Sequence, residues 1–187
     1  MKDNSNEQAE ELFDFIKNSP SCYHVIANLK NMLNEQGFIE LMENENWYIE
    51  NGGKYYTTRG GSSIIVFYVP NKDYSNYQIT ASHSDSPSFK IKENPEMLTD
   101  GHYVELNVEK YGGMICSTWF DRPLSIAGRV VAADDNMSNF TEKLVNVDRN
   151  LVMIPNVAIH MNRDVNNGYT YNAQKDMIPI LGEASAK

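Results

Sequence analysis

The apolar residues of this chain change their spacing near residue 38, and this change constrains the fold more than any other feature. Before that point they recur every three or four residues, which predicts two helices separated by Asn18-Ser19-Pro20. Ser5 and Gln8 have the spacing of a capping box, and Gly37 stands where a left-handed residue would end the second helix. The two apolar stripes are Ala9, Leu12, Phe13 and Ile16, then Val25, Leu29, Met32 and Leu33.

Glycine-rich turns divide the next residues into predicted strands. Asn51-Gly52-Gly53 is a hairpin signal between Trp47-Tyr48-Ile49 and Lys54-Tyr55-Tyr56-Thr57-Thr58. Gly60-Gly61 then leads into residues 63–69, which are apolar on both faces. Such a strand is typical of the middle of a sheet that is covered on both sides, and the two helices could provide part of that cover.

The residues after Pro95 predict a second, β-rich part of the chain. Val104, Leu106 and Val108 alternate with polar residues, which indicates a strand with one buried face and one solvated face. A change of composition at residues 92–96 separates the two parts, so we predict an α/β fold divided into residues 1–94 and 95–187. Further strands are predicted at residues 115–119, at 124–131, and at 143–154 around the turn Asp148-Arg149-Asn150.

A pattern that could carry chemistry, His83-Ser84-Asp85-Ser86-Pro87, follows the β-prone residues 77–82. We expect a strand to deliver His83 to its end, where sites on α/β sheets tend to lie. One imidazole nitrogen could bind a metal while the nearby carboxylate fixes the ring through the other nitrogen. On spacing alone, a polar surface turn is an equal alternative. Serine chemistry at Ser82 or Ser84 is disfavoured, because neither serine lies in a Gly-x-Ser-x-Gly elbow and adjacent residues on a strand point to opposite faces.

Composition excludes several classes of protein. The net charge of −9, from 25 acidic and 16 basic residues, argues against nucleic-acid binding. The first ten residues contain no apolar stretch of the signal-peptide type, and the longest apolar run is residues 64–69, so we expect a cytoplasmic protein without a membrane span. Cys22 and Cys116 form no disulfide or metal-binding pattern and are interpreted as reduced thiols.

Seven longer motifs occur in order along the chain. In the first part they are Asp14-Phe15-Ile16-Lys17-Asn18-Ser19-Pro20-Ser21, Lys54-Tyr55-Tyr56-Thr57-Thr58-Arg59 and His83-Ser84-Asp85-Ser86-Pro87. In the second part they are Val108-Glu109-Lys110-Tyr111-Gly112-Gly113, Ser117-Thr118-Trp119-Phe120-Asp121-Arg122-Pro123-Leu124, Ala127-Gly128-Arg129-Val130 and Ala158-Ile159-His160-Met161-Asn162-Arg163. Together they resemble the aspartyl aminopeptidase family of zinc metallopeptidases over nearly the whole chain.

The resemblance implies a fold, an activity and three site residues. Residues 1–94 would be the N-terminal part of a mixed-sheet α/β catalytic domain, and residues 95–187 a β-rich inserted module that joins subunits into a homo-oligomer. The activity implied is removal of N-terminal residues, typically Asp or Glu, from peptides by two zinc ions, with cobalt or manganese as alternatives. His83 would bind zinc, Asp85 would be the catalytic residue that orients it, and His160 would contact substrate or metal, in its own or a neighbouring subunit.

The resemblance also implies an incomplete site. The family's other metal ligands and its general base have no counterpart here, so we expect the N-terminal part of a longer enzyme that is inactive alone. The alternative is a non-catalytic module that associates through its β-rich half. Without the resemblance, His160 would be a packed histidine and Asp121-Arg122 an ion-paired turn. Asp134-Asp135-Asn136 lacks the acidic spacing of a calcium loop and is interpreted as a solvated turn. The sequence leaves the side-chain preference, the native metal and the oligomer size open.

Overall fold

The computed structural model describes residues 5–71, 73, 75–133 and 139–186, which form two compact units. The first unit combines the chain up to Ser86 with Ala127–Asn146, and the second combines Pro87–Ile126 with the chain from Val147 onward. The predicted division between residues 94 and 95 therefore falls inside the second unit. The Ser5 side chain of the predicted capping box and the turn Asp134-Asp135-Asn136 lie outside the described residues.

Both predicted helices are confirmed, as α1 (Ser5–Lys17) and α2 (Cys22–Glu35). Gly37 follows α2 with φ 75°, a left-handed conformation that glycine adopts without steric cost. Its N–H and that of the next residue donate to the carbonyl oxygens of Asn34 and Leu33, both at 3.0 Å. These two bonds satisfy carbonyl groups at the helix end, so α2 stops where the sequence predicts. No helix in the described part of the chain is long and apolar enough to cross a membrane.

The sheet of the first unit follows the order β1 (Ile39–Glu40), β2 (Lys54–Arg59) and β3 (Ser63–Tyr68). β1 is parallel to β2, and β2 is antiparallel to β3 with Lys54 opposite Tyr68. Gly60-Gly61 makes the tight turn between β2 and β3, and both glycines have positive φ, at 60° and 65°. A small core of Leu41, Tyr55 and Val69, with Phe67 against it, packs beside this sheet.

Two strand predictions for residues 47–69 are wrong. Residues 47–49 form no strand, and the hairpin turns at Gly60-Gly61 instead. Gly52 and Gly53 pair with Val69: the Gly52 N–H donates to the Val69 carbonyl oxygen at 2.7 Å, and the Val69 N–H donates to the Gly53 carbonyl oxygen at 2.9 Å. β3 lies at an edge of the described sheet rather than in its middle, since β2 is its single partner among the described strands. Ile65 of β3 is consequently 67% exposed.

A hairpin from farther along the chain completes the first unit. It consists of β6 (Ala127–Ala133) and β7 (Phe140–Asn146), which pair antiparallel with Ala127 opposite Asn146. The hairpin contacts α2 through Arg129, whose guanidinium carbon lies 4.5 Å from the centre of the Tyr23 ring. The strands predicted at 124–131 and 143–154 are thus found with shifted bounds.

The second unit has its own antiparallel sheet, in the order β4 (Ser88–Thr99), β5 (Tyr103–Tyr111) and β8 (Ile180–Glu183). The predicted alternation in β5 is confirmed, because Val104, Leu106 and Val108 are buried between more exposed neighbours. The latter two pack with Val152 in the core of this unit. Helices together with parallel and antiparallel strand pairs confirm the predicted α/β class.

Two features of the second unit explain errors in the prediction. The pairing register of β4 shifts between Ile91 and Glu96, around Pro95, which has no N–H to donate. The change of composition at residues 92–96 therefore marks an irregularity within a strand. The strand predicted at 115–119 is wrong, since Cys116–Trp119 is a short 3-10 helix. A further short helix, α3 (Ala173–Asp176), lies against β5.

Candidate metal centre

His83 and Asp85 form a pair in the first unit. The imidazole Nδ1 lies 2.8 Å from the carboxylate Oδ1 of Asp85. Because an ionised carboxylate can only accept, this contact assigns the hydrogen of a neutral imidazole to Nδ1 and leaves the lone pair on Nε2. The His83 side chain is 90% exposed and that of Asp85 is 33% exposed, which leaves the imidazole open to solvent. This is the tautomer in which a histidine binds a metal through Nε2 while a carboxylate fixes its orientation.

The strand predicted to carry His83 is not found. Residues 75–83 contain no strand, and Tyr77 and Ile79 are strongly exposed. The position of His83 is instead constrained by its neighbour Ser84, whose hydroxyl donates to the carbonyl oxygen of Ser62 at 2.8 Å. Because this hydroxyl proton is directed to a backbone carbonyl, the geometry gives no support to Ser84 as a nucleophile.

The turn that receives Ser84 is itself held by the β6–β7 hairpin. Arg129 donates from Nη1 to the carbonyl oxygen of Gly60 at 3.0 Å, and the same nitrogen lies 3.2 Å from a carboxylate oxygen of Glu142. With its ring contact to Tyr23, the guanidinium bridges α2, the β2–β3 turn and β7. A residue more than forty positions after His83 therefore supports the turn on which the His83 loop rests.

The described residues supply one candidate metal ligand and not a complete set. They contain no group of three or more His, Cys, Asp or Glu side chains that could hold a metal ion. A protein zinc site ordinarily uses three or four protein ligands. His83, with a nitrogen ligand and a carboxylate behind it, fits the role of one zinc ligand, and Asp85 fits the role of its orienting partner.

His160 belongs to the second unit. It is exposed and occupies the third position of a turn closed by the Met161 N–H, which donates to the Ala158 carbonyl oxygen at 2.8 Å. The alternative interpretation as a packed histidine is therefore wrong. Sequence reasoning treated Asp121 as a structural residue, yet its carboxylate accepts from the Asn156 N–H at 2.8 Å, on the segment that leads to His160. The motif around Asp121 was visible, but this contact over 35 positions was not.

Comparison with known proteins shows the family to which this chain belongs. The sequence model of the family described as "Aminopeptidase I zinc metalloprotease (M18)" matches residues 15–187, so the chain belongs to the M18 aminopeptidase family. A "Probable M18 family aminopeptidase 2" of Clostridium novyi (strain NT) is 48% identical over 176 residues, which are 93% of this chain and 41% of that protein. One of Stutzerimonas stutzeri (strain A1501) is 38% identical over 189 residues, covering 100% of this chain and 43% of that protein.

Solved structures carry the same fold. A chain in the cryo-EM structure of the Ape4 and Nbr1 complex superposes with a TM-score of 0.87 at 36% identity, covering 95% of this chain and 34% of that chain. The Chaetomium thermophilum mApe1 structure gives a TM-score of 0.81 at 34% identity, covering 93% of this chain and 40% of that chain. A yeast mApe1 dodecamer gives a TM-score of 0.76 at 26% identity, covering 95% of this chain and 39% of that chain. This chain thus spans about two fifths of the length of the relatives that it matches.

Proposed function

We propose that this chain forms part of a zinc aminopeptidase that removes N-terminal residues, Asp or Glu in particular, from peptides. The observation that carries the proposal is the His83–Asp85 pair, in a chain of the M18 family, with Nδ1 directed to a carboxylate and Nε2 open to solvent. The preference for acidic residues rests on the motif resemblance to the aspartyl aminopeptidases. Cobalt or manganese could replace zinc at such ligands.

Each site residue has a distinct role in the proposal. His83 binds one of two zinc ions through Nε2, and Asp85 holds the ring in that orientation and makes its nitrogen more basic. His160 contacts the substrate or a metal from its exposed turn. When bound, zinc polarises the scissile carbonyl and activates a water molecule. The other ligands and the general base come from outside these 187 residues, which fits the absence of a three-ligand group among the described ones.

Zinc titration followed by NMR tests the central residue. We expect the His83 imidazole signals to shift on addition of zinc, with weak binding of a single ion. Asp85→Asn should weaken this binding by about tenfold or more, because the carboxylate orients the ligand. His102→Ala is the matched control, since His102 is also an exposed histidine, in the β4–β5 turn.

Two results would contradict the proposal in different ways. Zinc that shifts His102 and leaves His83 unchanged would remove His83 as a ligand. Tight binding of two ions that is abolished by His83→Ala would keep His83 as a ligand, but it would place a whole metal centre inside this chain. The proposal that the remaining ligands come from elsewhere would then fail.

The second candidate function is a non-catalytic module that associates through the β-rich residues 95–187. What favours it is the lack of a three-ligand metal group in the described residues. Size-exclusion chromatography with light scattering separates the cases. A defined oligomer that binds no zinc at His83 supports the module, whereas zinc binding at His83 supports the peptidase, whatever the oligomeric state.

A further inference from the structure

Asp121 has a positive φ, which is uncommon for residues other than glycine, although aspartate is among those that adopt it most readily. Its φ is 56°, in the left-handed region, and Asp100 with φ 50° is the other non-glycine residue with positive φ in the described chain. Asp100 precedes Gly101 in the tight turn between β4 and β5, where an Asp-Gly pair is expected. Asp121 lies in no such hairpin. It lies in the turn that directly follows the Phe120 bridge, so its positive φ there is to be explained by the contacts that its groups make.

Two groups of Asp121 form hydrogen bonds to the segment 154–156. The backbone N–H of Asp121 donates to the Ile154 carbonyl oxygen at 2.9 Å. The carboxylate Oδ1 accepts from the Asn156 N–H at 2.8 Å. Ile154 is fully buried and also bridges to Phe120, so the first bond is anchored in the core of the second unit. The second bond is made two residues later, at the exposed Asn156.

Beyond Asn156 the chain has little packing to hold it. Val157, Ile159 and Met161 are all exposed, the last at 77%. The Asn156 side chain accepts from the Val157 N–H at 2.9 Å, and the turn from Ala158 to Met161 follows directly. Local hydrogen bonds therefore set the course of this loop. The contact between Asp121 and Asn156 joins the loop to the rest of the unit.

We propose that Asp121 is a positioning residue, which acts through Asn156 to fix the loop that carries His160. The consequence for catalysis rests on the proposed function, because it requires that His160 contacts substrate or metal. The positioning itself does not require this. It predicts that loss of the side-chain oxygen acceptor loosens residues 156–161 and leaves the core of the same unit unchanged.

Three substitutions separate the two features of Asp121. Asp121→Gly keeps a residue that tolerates positive φ but removes the acceptor. Asp121→Asn keeps both, since asparagine tolerates the left-handed region and its carbonyl oxygen accepts hydrogen bonds. Asp100→Gly is the control for replacing a left-handed aspartate elsewhere in this unit. A purely conformational role would be satisfied by glycine and by asparagine alike.

Amide hydrogen exchange of the whole chain, measured by NMR, tests the proposal. In Asp121→Gly we expect exchange at Asn156 and at residues 157–161 to rise about tenfold or more, because local opening becomes easier. The amides of Leu106 and Val108 should keep their rates. Asp121→Asn should restore near-wild-type protection, and Asp100→Gly should leave the loop unaffected.

Three outcomes would overturn the proposal. These are unchanged exchange at Asn156 in Asp121→Gly, a rise that extends equally to Leu106 and Val108, and an Asp121→Asn variant that behaves like the glycine variant. None of these measurements uses zinc or peptide. A failure of His83 to bind zinc would therefore refute the proposed function and leave this result standing, and the converse holds as well.

Discussion

At the scale of single residues, one hydrogen bond determines what His83 can do. Its ring N–H is committed to Asp85 at 2.8 Å, and this fixes which nitrogen remains available as a ligand. His24, in contrast, has a structural contact and is partly buried. It lies near the start of α2, with Nδ1 2.8 Å from the Ser21 hydroxyl, and partial burial lowers the pKa of its imidazole. His24 thus supports the folded state in its neutral form.

We expect His24 to make stability depend on pH. With a folded-state pKa below the unfolded value of about 6.5, the unfolded chain binds the proton more readily, so stability falls as the pH drops below that value. A cation near the start of a helix is also disfavoured. His24→Gln keeps a side chain able to bond Ser21 but does not titrate. Urea unfolding at pH 7.5 and 5.5 should show a larger loss in the wild type than in this variant. An equal loss in both would remove His24 as the cause.

At the scale of elements, the end of α2 depends on a single glycine. Gly37 has φ 75° and open space around the position of a β-carbon, so a side chain there meets conformational strain and no clash. Gly128 in β6 has equally open space and no positive φ. These two glycines of the first unit therefore differ mainly in backbone conformation.

Gly37→Ala should lower the free energy of unfolding by about 1 kcal/mol, because an L-residue in the left-handed region carries that order of cost. Gly128→Ala is the matched control and should change stability by less than about 0.5 kcal/mol, as substitutions free of such features do. Urea unfolding followed by circular dichroism measures both. Equal effects of the two substitutions would contradict the assignment of the cost to the left-handed conformation.

Elements whose causes are local could be predicted from the sequence, and those with distant causes could not. α1, α2 and β5 follow from the spacing of their own apolar residues, and the His83–Asp85 contact spans two positions. The hairpin expected at Asn51-Gly52-Gly53 was wrong because strand pairing extends through the glycines, which is decided by Val69. The contact of Asp121 with Asn156 left no periodic signal for the same reason. The roles given to His83, Asp85 and His160 remain predictions.

At the scale of the whole molecule, an acidic chain carries an exposed apolar sheet edge. The net charge of −9 repels copies of the chain from each other. β3 opposes this effect, because Ile65 and Tyr68 are exposed on a strand that has one partner in the described sheet. Unpaired strand edges of this kind are sites of association. The balance between charge repulsion and association through β3 should depend on salt, because salt screens the repulsion.

We expect the mass from light scattering to rise with concentration and with salt, and Ile65→Lys to reduce this rise. Ser63→Lys on the same strand is the control, since it makes the same change in net charge at a position that is already polar and exposed. Both substitutions lower the repulsion between copies, so a decrease confined to Ile65→Lys identifies the apolar edge. An equal change in the rise of mass in both variants would exclude the apolar edge of β3 as the cause of association.

The connectivity of the first unit has a consequence for the order of events during synthesis. The chain leaves this unit after Ser86 and returns at Ala127, so Arg129 is made long after the turn that it holds. Gly60 and Arg129 are separated by 69 positions. At roughly 5–20 residues per second, the ribosome takes several seconds to cover that distance. His83 is made 46 positions before Arg129, so over the last part of that time the nascent chain contains the His83 loop without the side chain that supports its neighbouring turn.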